Sequence, residues 1–397
     1  MSLFDYKSST IRKLRETPTV IAAVALLGLV YACARPAPAV LAPAPAAQAA
    51  NVETSLFLIG DAGEPAADGE PVLVALTHAI EAAAGERVVV FLGDNIYPRG
   101  MPDSLAANRA DAERRLAAQV DAVRATGAQG IFIPGNHDWA KLGPDGWEAV
   151  KRQERYLARY GGGAILLPSG GCPGPVAREL LGQRLLLVLL DTQWFLHTGP
   201  RPLHPGADCP AGSEREVMDS LRALLGRAGE RQVVIAAHHP LRSAGPHGGY
   251  FPLVDHVFPL RKVADWLWLP LPVIGSVYPL SRMLGLIPQD LAHGDYERLR
   301  RTLEEALAPA RPLVYAAGHE HALQVLTGDG AAFHLVSGGG YYGHTNAVGW
   351  RDETLFARRA SGFMVVEVLK DGRVRLGVVQ VNAAGVGIEV YSRWLRE

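Results

Sequence analysis

Cysteine is scarce in this sequence, with 3 in 397 residues, and so is any excess of charge, with a formal net value of -1. The balance of charge gives no reason to expect a nucleic-acid groove. The chain has no GxxxxGK(S/T) loop and no dinucleotide fingerprint, which argues against chemistry on a nucleotide cofactor. It has no HExxH helix and no evident repeat period. Its most apolar early run, Val20 to Ala32, falls short of the roughly 20 residues of a usual membrane-spanning helix.

That run has a different use. Lys7, Arg12, Lys13 and Arg15 precede it and it ends in LVYAC, the layout of an export signal. Small Ala32 before Cys33 looks like a bacterial lipoprotein processing site. Three readings stay open for residues 1–33: a lipidated Cys33, an uncleaved N-terminal anchor, or cleavage and release. Each sends the folded part across a membrane, so an exported, periplasmic or envelope-associated protein is expected. Residues 34–51, rich in proline and alanine, read as an extended spacer whose small side chains cannot build a core. The domain proper is expected over 52–397. If lipid consumes Cys33, Cys172 and Cys209 are left in Gly/Pro-rich loops, and an exported location would permit them to pair; paired and free remain equal readings.

Past the spacer, apolar strand-like runs alternate with helical segments. SLFLIGD precedes a helix near Val72 to Ala84, and RVVVFLGD precedes one over Ser104 to Thr126 whose apolar face carries Leu105, Leu116, Val120 and Val123. GIFIPGNHD leads to a helix at Trp147 to Tyr160, RLLLVLLDT to one at Glu214 to Leu225, and RQVVIAAHHP follows. A helix at Asp295 to Leu307 then leads to PLVYAAGHEH, and the C-terminal stretch reads as short strands joined by turns such as Asp371-Gly372. Such alternation implies covered sheets with buried, often parallel strands and antiparallel additions at the C-terminus.

One segment fits this pattern poorly. Val263 to Pro288 is densely apolar and contains four prolines, which argue against a straight spanning helix. Within an insertion at about 250–292, it reads either as a piece folded against the domain or as an interfacial hairpin that meets a membrane or covers the site.

Five polar clusters stand just beyond the apolar runs: IGDAG (Asp61), LGDNIY (Asp94, Tyr97), PGNHD (Asn136, His137, Asp138), AHHP (His238, His239) and AGHEH (His319, His321). Singly each is ordinary, since a strand-end aspartate is more often a cap and an Asn-His pair more often a turn. Together they would gather carboxylates, an amide and several imidazoles at one sheet edge. That donor set suits hard to borderline metals, and a carboxylate between two ions offsets their repulsion.

In this order the motifs resemble the calcineurin-like metallophosphoesterases, and more narrowly the small, mammalian-like purple acid phosphatases. The resemblance runs from about Ser55 to the C-terminus. It implies an α+β (αββα) fold, a two-sheet β-sandwich flanked by helices. It also implies a phosphate-ester hydrolase of acid phosphatase type, in which two metal ions supply a hydroxide nucleophile. By resemblance, Asp61, Tyr97 and His321 hold Fe(III), Asp94 bridges, and Asn136, His238 and His319 hold a divalent Fe, Zn or Mn. His137 matches the histidine beside the substrate, with Asp138 orienting its ring, and His247 matches an outer histidine by its offset from His238. Generic members carry a histidine in the first motif where this chain has Gly63, and Tyr97 offers the replacement donor. A tyrosinate is a hard anionic ligand whose pKa Fe(III) depresses far below the free value of about 10, and its charge transfer would colour the protein purple. Glu320 is expected to point away from the ligands, while Asp191, His239 and His344 are candidates for supporting or lining the site. Phosphodiesterase, nucleotidase and phospholipid phosphatase activities fit the same scaffold. A metal-stabilised, non-enzymatic binding protein is the reading from another class.

Overall fold

The computed structural model describes residues 43–180, 184–203, 209–262, 264 and 266–397. The expected signal or anchor, Cys33 and the first half of the spacer lie outside these residues. Fourteen strands are described, numbered in chain order: β1 Val52–Ile59, β2 Glu86–Phe91, β3 Gln129–Phe132, β4 Ile165–Leu166, β5 Val176–Glu179, β6 Leu185–Leu189 and β7 Gln232–Ala236, then β8 Val314–Ala317, β9 Leu323–Leu326, β10 Phe333–Ser337, β11 Thr354–Arg358, β12 Gly362–Leu369, β13 Val374–Val381 and β14 Gly387–Arg396. They form two seven-stranded sheets, ordered β14-β13-β12-β1-β2-β3-β4 and β11-β9-β10-β8-β7-β6-β5. This is the two-sheet sandwich that the motif order implied.

The two-residue period of the strands builds the layers. Leu56, Leu58, Val88 and Val90 of the first sheet share a buried cluster with Leu187, Leu189, Val234 and Val314 of the second. The alternate residues Phe57, Ile59, Val89 and Phe91, and likewise Leu186, Val188 and Ile235, point outward to helices. The helices, in chain order, are α1 Pro71–Ala82, α2 Arg109–Arg124 and α3 Gly146–Tyr160, then α4 Gln193–Leu196, α5 Glu214–Gly226, α6 Leu253–Val257, α7 Val277–Met283 and α8 Gly294–Leu307, of which α6 and α7 belong to the insertion and not to the layer on the sheets. Local chemistry sets their starts: Pro71 opens α1, and Ser213 with Glu216 closes a capping box on α5.

Strands β1 to β4 run parallel, as do β6, β7 and β8. The carboxyl ends of β1, β2 and β3 therefore share one edge of their sheet, and those of β7 and β8 share one edge of theirs. All five motifs sit just past these ends.

Four details depart from or complete the sequence reading. Helix α2 begins at Arg109, and Leu105 is 93% exposed in the preceding turn rather than on an apolar face. Strands β9 and β11, which the pattern did not single out, extend the second sheet. Cys172 and Cys209 form a disulfide across a separation of 37 residues. At the end of the spacer, Ala44 is fixed to the body, its carbonyl accepting from Ser392 Oγ at 2.9 Å.

Candidate metal centre

Glycines deliver the polar residues into the gap between the sheets. Asp61, Asp94 and His319 each follow a glycine and hold left-handed φ values of 60°, 55° and 67°. Aspartate and histidine tolerate this region better than most residues, yet it costs about 1–3 kcal/mol at each position. The crossing is tight enough that a Cβ at Gly135 would come 2.3 Å from Asp94 Oδ1.

Two donor groups result. In the first, the Tyr97 hydroxyl lies 3.2 Å from Asp61 Oδ1 and 3.1 Å from His321 Nε2, which is itself 3.5 Å from Asp61 Oδ1. In the second, Asn136 Oδ1 lies 2.9 Å from His238 Nε2 and 3.0 Å from His319 Nδ1. Asp94 borders this second group, with Oδ1 3.5 Å from His238 Nε2.

The tautomers of the second group decide what it can hold. His238 Nδ1 is 2.8 Å from the Leu92 carbonyl, and His319 Nε2 is 2.8 Å from the Gln289 carbonyl. A carbonyl only accepts, so each of those nitrogens carries the proton and the other nitrogen is bare. Burial holds both imidazoles well below their ordinary pKa, which keeps the rings neutral. Two bare nitrogens and an amide oxygen thus converge with no proton between them, and a cation is what reconciles three lone pairs at this spacing. The carbonyls behind the rings are the usual outer partners that orient metal-binding histidines. Charge tells the same story for Asp94, whose pKa is pushed well up by burial and then by the Asp61 and Asp138 carboxylates. Tyr97 is likewise pushed well up by burial and by the same acidic neighbours, Asp61 and Asp94.

Gly63 explains the missing first-motif histidine. A Cβ there would meet the backbone of Asn95 and Asp94 at 2.5 Å, so no side chain fits. The Tyr97 hydroxyl occupies the neighbouring space beside Asp61.

His137 lines the same cavity, with Nδ1 2.8 Å from the Pro98 carbonyl and Nε2 3.8 Å from Asp94 Oδ2. Burial, with the nearby Lys141 charge, lowers its pKa to about 2. The expectation that Asp138 orients this ring is corrected: its carboxylate instead accepts from the backbone N–H groups of Gly135, Asn95 and Ile96. With its pKa raised to about 7 by burial, Asp138 ties the second motif to the third.

The carboxylate that does orient a histidine is Asp290. It lies 2.9 Å from His247 Nδ1 and is paired with Arg282, whose Nε donates to it at 2.8 Å. The His247 ring lies tilted against that of His319, with ring centres 4.0 Å apart. His239 has its ring nitrogens taken by Thr192 at 2.8 Å and Gln289 Oε1 at 2.9 Å. Though near His238 and His319, it therefore supports rather than adds a donor. Glu320 points away from the centre, as expected, and takes the Ser243 hydroxyl, the His247 N–H and the Asn346 amide. Asp191 accepts from Trp139 Nε1 at 2.8 Å, and the His344 ring lies tilted against that of His321 with centres 4.3 Å apart.

The cavity measures about 280 Å³ and is lined by Asp94, Asn136, His137, His319 and His321 together with Lys141, Leu142, His247 and Gln289. Larger clefts of about 510 and 520 Å³ lie elsewhere, are lined by arginines and contain none of these residues. Lys141 is the lining residue the sequence hid. Ala140, Lys141 and Leu142 all take left-handed φ values of 55°, 52° and 66°, and nothing in that tripeptide announces so strained a turn. Gln289, Asp290 and Arg282 were hidden for another reason, since they belong to the far end of the apolar insertion.

The fold is shared with solved structures of low sequence identity. One is GAP50, the anchor in the inner membrane complex of Plasmodium, at 14% identity and TM-score 0.50 over 87% of this chain and 89% of that one. Another is the purple acid phosphatase PPD1 from yellow lupin seeds, at 14% identity and TM-score 0.50, over 85% of this chain and 53% of that one. A third is PhoD, at 12% identity and TM-score 0.52, over 88% and 71%. No curated protein matches the chain at a significant level. The sequence itself matches the calcineurin-like phosphoesterase family over residues 55–267, more than half of its length. With that match and this centre, the chain belongs to the calcineurin-like phosphoesterase family and is a metallophosphoesterase.

Proposed function

We propose that this enzyme hydrolyses phosphate monoesters at a two-ion centre and does so outside the cytoplasmic membrane. Asp61, Tyr97 and His321 would hold an Fe(III) ion, Asn136, His238 and His319 a divalent ion, and Asp94 would bridge. Bound there, the ions supply charge for the phosphoryl oxygens and a water acidified toward neutrality. The protein's own groups do the rest. His137 holds its Nδ1 proton on Pro98, so its bare Nε2 would first take a proton from the attacking water and then return it to the leaving-group oxygen. Lys141 adds a cation to the cavity that receives a phosphate dianion. His247, fixed by Asp290, lines the same cavity and would offer its other nitrogen to the substrate.

The observation that carries this reading is the meeting of Asn136 Oδ1 with two bare imidazole nitrogens beside Asp94. The test is metal analysis of the full chain together with hydrolysis of p-nitrophenyl phosphate. About two metal ions per chain are expected, with both metal content and turnover lost in Asn136→Ala and His238→Ala. Unchanged metal content and turnover in those variants would sink the assignment.

A further inference from the structure

Beside the cavity residues His247 and Gln289, residues 266–287 fold as a cap whose outer face carries no charge among the described residues. Among the described residues, 19 large apolar side chains are exposed, and 12 of them fall within residues 266–287. Trp266 is 78% exposed, Val273 82% and Leu284 73%. The one charged residue in this stretch is Arg282, which is 9% exposed and turned inward onto Asp290. A solvated surface of this size with no outward charge is rare on a soluble protein. At its edge, Arg261 lies 3.9 Å over the Trp268 ring. Tryptophan and tyrosine with basic side chains at the rim of an apolar face are the composition of a membrane interface.

No described helix is long and apolar enough to cross a membrane. The segment is instead folded as short helices and turns that lie along the body, the form of an interfacial contact. In either anchored reading of the N-terminus, the chain from Cys33 to Pro43 is at most about 35 Å long when extended, so a bilayer stays within reach. From these observations we infer that residues 266–287 dock on a bilayer and that the substrate is a phosphate ester carried by a lipid in that bilayer. The substrate half rests on the phosphoesterase reading above.

Geometry links the surface to the chemistry. Leu286, 68% exposed, is three residues before Gln289, whose carbonyl meets His319 Nε2 at 2.8 Å. Arg282, on the inner side of the cap, holds Asp290 and through it His247. The cavity of about 280 Å³ admits a phosphoryl headgroup but no acyl chains. With the cap seated in the interface, a lipid can present its headgroup to the cavity while its chains stay in the membrane.

The test uses the full chain, with its N-terminal segment, in vesicles of phosphatidylcholine containing phosphatidic acid. It is compared with Leu269→Glu/Ile274→Glu/Leu284→Glu, which keeps every tryptophan and touches no cavity residue. Quenching of tryptophan fluorescence by brominated lipid, phosphate release from phosphatidic acid and hydrolysis of soluble p-nitrophenyl phosphate are measured together. The wild type should be quenched. The variant should lose most of that quenching and roughly tenfold or more of its lipid turnover, with soluble turnover within about twofold. An unquenched wild type, or a variant with undiminished quenching and lipid turnover, overturns the docking inference. So does a wild-type dimer in detergent that the three charges dissociate while the tryptophans stay unquenched. A quenched wild type that releases phosphate from p-nitrophenyl phosphate but not from phosphatidic acid overturns the substrate half. Failure to hydrolyse p-nitrophenyl phosphate in metal-replete protein counts against the enzymatic reading alone, since quenching still reports on docking.

Discussion

Removing one oxygen atom tests the role of Tyr97 directly. Tyr97→Phe keeps the ring, which packs edge-on against His137 with centres 4.2 Å apart, and deletes the hydroxyl between Asp61 and His321. In metal-free protein the loss is one hydrogen bond to a carboxylate, about 1.5–3 kcal/mol, to be read from urea denaturation. With iron present the loss is an anionic donor. A contact of about 3 kcal/mol corresponds to a dissociation constant raised about 100-fold. No neighbour can substitute, because Gly63 has no room for a side chain: its Cβ would stand 2.5 Å from the Asn95 backbone. Chelator competition with Fe(III) and the visible spectrum are the assays. Weakened binding and loss of the charge-transfer band are expected. A variant that is destabilised but binds iron as tightly, with the same band, would show that Tyr97 only packs, and the reasoning from Gly63 would be refuted.

Groups behind the centre offer two more tests. Asp290→Asn removes the carboxylate that Arg282 and His247 hold ionised against the opposing effect of burial. With soluble substrate, kcat should fall roughly tenfold to 100-fold with KM little changed; an unaltered kcat would mean that Asp290 does not position His247. His334, buried on β10, has its pKa lowered to about 4, first by burial and then by the Arg242 charge. A lowered imidazole leaves the unfolded chain with more protons as pH falls, so its contribution is full above about 6.5 and is lost toward about 4. A depression of about 2.5 pH units corresponds to about 3 kcal/mol at most. Stability of wild type should therefore drop more steeply than that of His334→Gln over that range, and parallel pH curves would contradict it.

Much of the centre was legible in the chain. Asp61, Asp94, Asn136, His238 and His319 all follow an apolar run within a few residues, and glycine precedes most of them. Parallel strands then bring such positions to a common edge whatever lies between. The supporting groups were not legible. Asp138 stands next to His137 in sequence yet bonds backbone across the crevice, because a turn at Gly135 aims adjacent side chains in different directions. Asp290 stands 43 residues from His247 and meets it directly.

The apolar segment makes the same division. Its prolines argued against a straight spanning helix, but its composition left open whether it was core or surface. Folding decided that Arg282 turns inward and the tryptophans outward, since a buried Arg–Asp pair can be satisfied only where both partners are brought together.

What the sequence by itself determined is the row of polar residues at the strand ends and the covered, largely parallel strands that carry them, for these follow from period and glycine along the chain; the two-sheet sandwich and the pairing of Gly63 with Tyr97 were implied by the family resemblance. What only the tertiary structure decided is which carbonyl fixes the proton on each histidine ring, which carboxylate fixes His247, and which face of the insertion meets the outside. Those are contacts between distant segments, and no local pattern encodes the distance at which two segments will stop.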